Sequence, residues 1–131
     1  MRRFKFHKLV RDKIVQSIIS VGNKPNFRKL TDKEFIQELK NKIVEESAEV
    51  PRTNDPKEVV KELADLQELI DNLLPVLGIS KKKFVEIQKN KNKDRGSFKN
   101  RQYVEDVETS DEETKWVKYY LDNPDKYPEI K

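Results

Sequence analysis

The sequence contains no cysteine and one histidine, His7, and both scarcities restrict its chemistry. Without cysteine there is no disulfide, no thiolate metal site and no cysteine nucleophile. A single histidine outside the acidic central segment excludes the Glu-x-x-His pairs of di-iron bundles and the ligand set of a zinc hydrolase. It also leaves no positioned histidine for a serine or cysteine triad.

Long apolar runs and phosphate-binding loops are missing as well. The chain has no stretch of 18 or more apolar residues, and its N-terminal "MRRFKFHKLVRDK" lacks an apolar core and a small-residue cleavage site. Neither a membrane span nor a signal peptide is therefore predicted, and we expect a cytoplasmic protein. No Gly-x-x-x-x-Gly-Lys sequence is present, which excludes a Walker loop.

Glycine is also scarce, with three residues, and apolar residues recur at helical spacing through most of the chain. This pattern predicts an all-α fold, a small bundle of four to five helices. A chain of 131 residues fits a single domain that can bury a core of its own.

Capping residues and helix stops set the predicted boundaries. Thr31 with Glu34 forms a capping-box pattern, and Asp55 before Pro56 is a second strong helix start. Asp12 and Ser110 are weaker candidate caps. The tail after the last helix is expected to be extended and exposed. Helices are predicted over residues 12–20, 32–50, 56–78, 81–94 and 111–122.

The net charge of +4 is the sum of four blocks of alternating sign. Residues 1–30 hold nine basic residues against one acid, 31–80 six against twelve, 81–101 nine against two, and 102–131 four against nine. An acidic block between two basic blocks can bring a cation and a polyanion together in one site. The alternative is that the charges only make soluble helix faces.

The stretch "KIVEESAEV", residues 42–50, places glutamates beside the apolar face of the second predicted helix. At about 100° per residue, Glu46 falls within that face, Glu49 at its edge and Glu45 beside it. On the third predicted helix, Glu62 lies at the margin of the apolar face and Asp65 just beyond it. Each pair is spaced i, i+3, and a short loop favours antiparallel packing. Four carboxylates are thus predicted to converge, those of Glu46, Glu49, Glu62 and Asp65.

Buried carboxylates without partners repel one another, so this cluster requires neutralisation by basic side chains or by divalent cations. All-oxygen carboxylate clusters suit Mg²⁺ or Mn²⁺. A single Glu-x-x-Glu or Glu-x-x-Asp pair is common on a solvated helix face, and that alternative stays open for each pair alone. Two pairs on consecutive helices, both aligned with the apolar face, favour a metal site.

These motifs resemble a known family. "EESAE", a twelve-residue gap and then "ELAD" are similar to the signature of the all-α nucleoside triphosphate pyrophosphohydrolases, the MazG-like and phosphoribosyl-ATP pyrophosphohydrolase-like group. "HKLVRDKI" and "KDRGSF" resemble segments of a subset of that group, although Ser97 stands where a second glycine is more usual. The resemblance covers about residues 7–101, within a single expected domain of residues 1–131 whose extension 102–131 matches nothing in the family core.

The resemblance implies an enzyme that hydrolyses a nucleoside triphosphate to the monophosphate and pyrophosphate, as in removal of noncanonical or surplus nucleotides. It implies that Glu45 orients or deprotonates the attacking water, or helps to hold a second ion. It further implies a homo-oligomer, since family members usually form dimers or larger assemblies. The ligands of Mg²⁺, with Mn²⁺ as the alternative ion, would be Glu46, Glu49, Glu62 and Asp65.

Basic residues from the two positive blocks complete the expected site. Arginine suits bidentate phosphate contacts and lysine supplies a point charge. Phe98 is expected to pack under its loop rather than to stack on a base, and Trp116, Tyr119 and Tyr120 to serve core or dimer packing. The candidates for the β and γ phosphates are Lys8, Arg11, Lys91 and Arg95, with Lys13 and Arg101 as weaker ones.

Two other functions stay open. One is a non-enzymatic helical module that binds nucleotides or nucleic acid through the basic blocks, with steep salt dependence. The acidic block between them would repel a phosphate backbone, so nucleic acid is not an expected partner. The other is a family member that binds nucleotides without hydrolysing them. The base and sugar preference does not follow from the sequence.

Overall fold

The computed structural model describes residues 1–110, 112 and 114–131, and within them all regular structure is helical. The predicted all-α class is confirmed. No helix among the described residues combines the length and apolarity needed to cross a bilayer. The α-helices are α1 (Ile14–Ser20), α2 (Asp32–Glu49), α3 (Pro56–Val76), α4 (Lys81–Arg95) and α5 (Lys115–Asp122), with a short 3₁₀ helix at Val50–Arg52.

The two long helices begin where their caps predict. The Thr31 hydroxyl accepts the amide of Glu34, and the Glu34 carboxylate accepts the amide of Thr31, which completes the capping box of α2. The Asp55 carboxylate accepts the amide of Lys57 at 3.0 Å, and Pro56 opens α3. These bonds satisfy amides that a helix leaves unpaired at its start, so α2 and α3 are fixed locally.

α2 and α3 pack against each other and form the centre of the structure. The connection between them is short, and residues late in α2 lie beside residues early in α3, so the pair is an antiparallel hairpin. Among the described residues, Leu39 alone is fully buried, at 2% exposure. Val60 and Leu63 on α3 remain 63% and 50% exposed. Among the described residues of α3, the packing against α2 therefore leaves large apolar side chains exposed.

Two predicted boundaries are wrong by a few residues. The residue that caps α1 is Lys13, with no side-chain hydrogen bond, so Asp12 is not its cap. α5 begins at Lys115 because the Thr114 hydroxyl accepts the amide of Val117 at 3.3 Å, and Ser110 does not cap it. Asp111 and Glu113, which the prediction placed in the first turn of this helix, lie outside the described residues.

The chain divides into two compact units, Met1–Arg95 and Gly96–Lys131. The first contains α1 to α4, with α4 packed on α3. The second contains α5, and its tail is turned rather than extended, because the amides of Lys126 and Tyr127 both donate to the carbonyl of Asn123. Four rings contact one another there at centroid distances of 5.0 to 6.5 Å, those of Trp116, Tyr119, Tyr120 and Tyr127.

Candidate metal centre

Three of the four predicted carboxylates meet between α2 and α3. Glu46 comes from the last turns of α2, and Glu62 and Asp65 come from one side of α3. One oxygen from each lies within 4.8 Å of the other two, and all three residues are half-buried. The i, i+3 spacing on α3 and the hairpin between the helices produce this convergence. These three residues are called the acidic cluster below.

Glu62 is the most constrained member of the acidic cluster. Its Oε2 atom is buried and has no hydrogen-bond partner among the described residues. Burial raises the pKa of Glu62, and a hydrogen bond with Glu46 and the negative charges of Glu46, Asp65 and Glu49 raise it further. A buried acceptor without a donor carries a free-energy cost that a bound cation would remove.

Glu49 does not join the acidic cluster, although its charge contributes to the raised pKa of Glu62. Its Oε1 atom instead accepts a hydrogen bond from Nη1 of Arg52 at 2.9 Å. The Arg52 side chain is 69% exposed and that of Glu49 39%. The sequence signal for this pair is the opposite charge three residues later.

Glu45, the predicted base, lies outside the acidic cluster and is exposed. Its carboxylate forms ion pairs with Lys8 at 3.5 Å and with Lys42 at 3.8 Å. It also lines an open cleft of about 270 Å³ between α2 and the N-terminal segment that contains Phe6 and Leu9.

The N-terminal basic block reaches the acidic residues. Nη2 of Arg11 donates to Oδ1 of Asp65 at 2.7 Å, and Lys8 contacts Glu45 as described above. Arg11 therefore contacts the acidic cluster and Lys8 contacts the neighbouring Glu45, and both belong to a segment without helical structure.

The other basic candidates are not brought to the acidic cluster by any contact. Lys91 and Arg95 are exposed on the last turns of α4, and neither forms an ion pair with a described residue. Phe98 is 96% exposed, so the prediction that it packs under its loop is wrong. Of the four predicted phosphate ligands, Arg11 alone forms an ion pair with the acidic cluster among the described residues.

The acidic cluster fits a hard divalent cation. Its donors are carboxylate oxygens, which Mg²⁺ and Mn²⁺ prefer, and its buried Oε2 atom has no competing donor. The Arg11 side chain lies at its edge, where the anionic part of a ligand could be neutralised. Comparison of the chain with protein-family models, with curated proteins and with solved structures found no match.

Proposed function

We propose that the chain is an Mg²⁺-dependent nucleotide pyrophosphohydrolase of the MazG-like type, which converts a nucleoside triphosphate to the monophosphate and pyrophosphate. The observation that carries this proposal is the acidic cluster with its unpartnered Oε2 atom of Glu62. Glu46, Glu62 and Asp65 would hold the ion, joined by Glu49 once it leaves Arg52, with Mn²⁺ as a substitute. A bound ion would supply charge neutralisation at the phosphate oxygens and lower the pKa of a coordinated water.

The chain's own residues then have distinct tasks. Arg11 and Lys8 bind the β and γ phosphates, Arg11 with its planar fork and Lys8 as a point charge. Glu45, whose carboxylate is open to solvent, takes the proton of the attacking water. The water oxygen bonds to the α phosphorus, the bond from that phosphorus to the bridging oxygen breaks, and pyrophosphate leaves.

Glu49 belongs to the proposed ligand set in spite of its pairing with Arg52. An ion pair between exposed side chains contributes at most about 1 kcal/mol, because solvent screens the charges and both side chains lose freedom. This pair is exposed on both sides, so it offers little resistance to a rotation of Glu49 toward the acidic cluster.

Nucleotide or nucleic-acid binding without hydrolysis is the second candidate function. It is favoured by the basic side chains of α4, where Lys91 and Arg95 are exposed without ion pairs to described residues. Such binding would weaken steeply between 50 and 200 mM salt. Strong salt-sensitive binding of an oligonucleotide, with no turnover of any nucleotide, would support it.

We further propose that a second copy of the chain covers an exposed apolar strip, formed by Val60 and Leu63 on α3 and by Leu77 just after the last residue of that helix. These side chains are 63%, 50% and 49% exposed. One fully buried side chain among the described residues is a small core for a chain of this size. A homo-oligomer would complete it by burying the same strip from each copy.

The test of the enzymatic proposal is a panel of standard and modified nucleoside triphosphates with Mg²⁺, with separation of the products. We expect monophosphate and pyrophosphate, and loss of both on addition of EDTA. Loss of a residue that only supports a metal ligand lowers metal affinity or activity by about 10- to 100-fold. Because Glu62 is itself a proposed ligand, Glu62→Gln should lower kcat/KM by at least about 100-fold.

Glu68→Gln is the matched control for that substitution. Glu68 is also on α3, is exposed and bonds to Asn72 rather than to the acidic cluster. We expect Glu68→Gln to keep wild-type activity. Full activity of a folded Glu62→Gln protein would exclude the proposed metal centre.

A further inference from the structure

We propose that Arg11 is a tethered cation of the acidic cluster, and that a divalent ion displaces its guanidinium from Asp65 on binding. The displaced guanidinium is then the group that receives the phosphates, so the ion must bind before the nucleotide. This inference rests on the proposed function, because it takes Glu46, Glu62 and Asp65 as the ligands of the ion.

The first observation is the position of the guanidinium. Nη2 of Arg11 lies 2.7 Å from Oδ1 of Asp65, and this is the one ion pair between a basic side chain and the acidic cluster among the described residues. Asp65 in turn lies within 4.8 Å, oxygen to oxygen, of Glu46 and Glu62. A positive charge therefore already stands at the edge of the site where the ion would bind.

The second observation is what the pair connects. Arg11 and Asp65 are 54 positions apart in the sequence, and Arg11 precedes the first turn of α1. Their hydrogen bond attaches the N-terminal segment to α3, and the weaker contact of Lys8 with Glu45 attaches it to α2. The state of the acidic cluster is thus linked through Asp65 to the position of Arg11 and of the N-terminal segment that carries it.

Arg11 and a divalent ion would compete for Asp65. The relative strength of these two interactions predicts that the ion displaces the guanidinium rather than that both stay bound to Asp65. The Arg11 and Asp65 side chains are 61% and 41% exposed, and ion pairs of this kind contribute little net free energy. A doubly charged ion held by three carboxylates interacts more strongly with Asp65 and repels the guanidinium beside it. Because Arg11 is exposed, its side chain can turn into solvent without disturbing buried residues.

The first experiment measures Mn²⁺ binding by electron paramagnetic resonance without any nucleotide, on wild type, Arg11→Gln, Arg11→Lys and Arg28→Gln. Removal of a competing exposed ion pair should make Mn²⁺ binding to Arg11→Gln about two- to fivefold tighter. Arg11→Lys keeps the charge and should stay near wild type. Arg28→Gln is the matched control, since Arg28 pairs with Glu34 at the start of α2.

The outcomes separate this inference from the proposed function. Wild-type protein that binds no Mn²⁺ would overturn the metal centre and this inference with it. Wild-type protein that binds Mn²⁺, with Arg11→Gln equal or weaker, would overturn the tethered-cation role alone. Circular dichroism checks that each variant is folded.

The second experiment observes the guanidinium directly. In ¹⁵N-labelled protein, the Nε–H signal of Arg11, assigned by its absence in Arg11→Lys, is followed during titration with diamagnetic Mg²⁺. We expect a restrained signal without Mg²⁺ and a mobile, solvent-averaged signal at saturation. An Arg11 signal that does not change at saturating Mg²⁺, while the backbone signals of Glu62 and Asp65 shift, would contradict displacement.

Discussion

At the residue scale, Glu62 shows how a candidate functional site conflicts with stability. Its Oε2 atom is buried without a hydrogen-bond partner among the described residues and its carboxyl stands beside other acids, so its charged form is disfavoured in the folded chain. An uncharged side chain at this position would avoid the free-energy cost of burying a charge. The proposed ion would offset this cost, which gives the residue a reason to be acidic.

We predict that Glu62→Gln raises the thermal stability of the metal-free protein at pH 8. Because the pKa of Glu62 is raised in the folded state, wild-type stability falls as pH rises from the ordinary value of 4.5 through the folded pKa. The penalty is complete above that pKa and absent near pH 4, so the gain from the substitution should shrink there. Thermal unfolding followed by circular dichroism at both pH values checks this, and a Glu62→Gln protein less stable than wild type at pH 8 would contradict it.

Thr31 is a second residue whose effect can be predicted. Thr31→Ala removes the hydroxyl that accepts the amide of Glu34 at the start of α2, and should destabilise the protein by about 1 kcal/mol in urea denaturation. Ser47→Ala is the control, because Ser47 is exposed late in α2 and its hydroxyl bonds only the carbonyl of Val44. It should change the free energy of unfolding by no more than about 0.5 kcal/mol.

The same capping box has a pH dependence. Hydrogen bonds from Arg28 and from the amide of Thr31 lower the pKa of Glu34 from 4.5 to about 2. The stability that this shift contributes is complete above pH 4.5 and is lost as pH falls toward 2. The free energies of unfolding of wild type and Glu34→Gln should therefore become more alike as the pH falls from 4.5 toward 2. A difference between them that stays constant from pH 6 to pH 2 would contradict the assignment.

At the element scale, the hairpin of α2 and α3 decides both the site and the unfinished core. One side of α3 carries the acids toward α2, while the strip with Val60 and Leu63 faces away from α2 and is exposed. A helix with apolar residues on more than one side requires more than one packing partner. The geometry that assembles the acidic cluster therefore also leaves an apolar surface exposed on α3.

We predict that Val60→Lys shifts the protein toward the monomer in sedimentation velocity, because it places a charge in the proposed interface. Val44→Lys is the matched control, since Val44 is 69% exposed on α2, on the side away from its apolar face. It should leave the oligomeric state unchanged. A wild-type protein that is monomeric at 100 μM would contradict the interface itself.

The sequence predicted where the helices begin better than it predicted what packs against them. Caps such as Thr31 and Asp55 act within one turn, so α2 and α3 start where expected, and α5 was misplaced because Thr114 is a nearer cap than Ser110. The convergence of Glu46 with the α3 acids follows from helical spacing and a short loop. Periodicity identifies an apolar face but does not show what covers it, so the exposure of α3 was not foreseen.

Side-chain pairing was harder to predict. Glu49 turns to Arg52 rather than to the acidic cluster, and that choice depends on rotamers that a helical wheel does not contain. The contact between Arg11 and Asp65 joins positions 54 residues apart, and Arg11 lies in a segment without helical periodicity. Charge blocks indicated that the two regions attract each other, while only the structure identifies the atoms.

At the scale of the whole molecule, the first basic block and the acidic block of the sequence contact each other within the first compact unit, Met1–Arg95. The acidic block supplies the acidic cluster, and the first basic block supplies Arg11, which contacts Asp65, and Lys8, which contacts the neighbouring Glu45. The proposed hydrolysis of a metal-bound triphosphate would use both the carboxylates and these cations. The basic side chains of α4 add a second positive region on the same unit.

The most direct test of the central claim is a ³¹P NMR time course of wild-type protein with a nucleoside triphosphate and Mg²⁺. The account predicts signals of the nucleoside monophosphate and pyrophosphate that grow together, in equal amounts, without a diphosphate intermediate, and that are absent with Glu62→Gln. Formation of nucleoside diphosphate and orthophosphate, or no turnover of any triphosphate by folded protein that binds Mg²⁺, would contradict it.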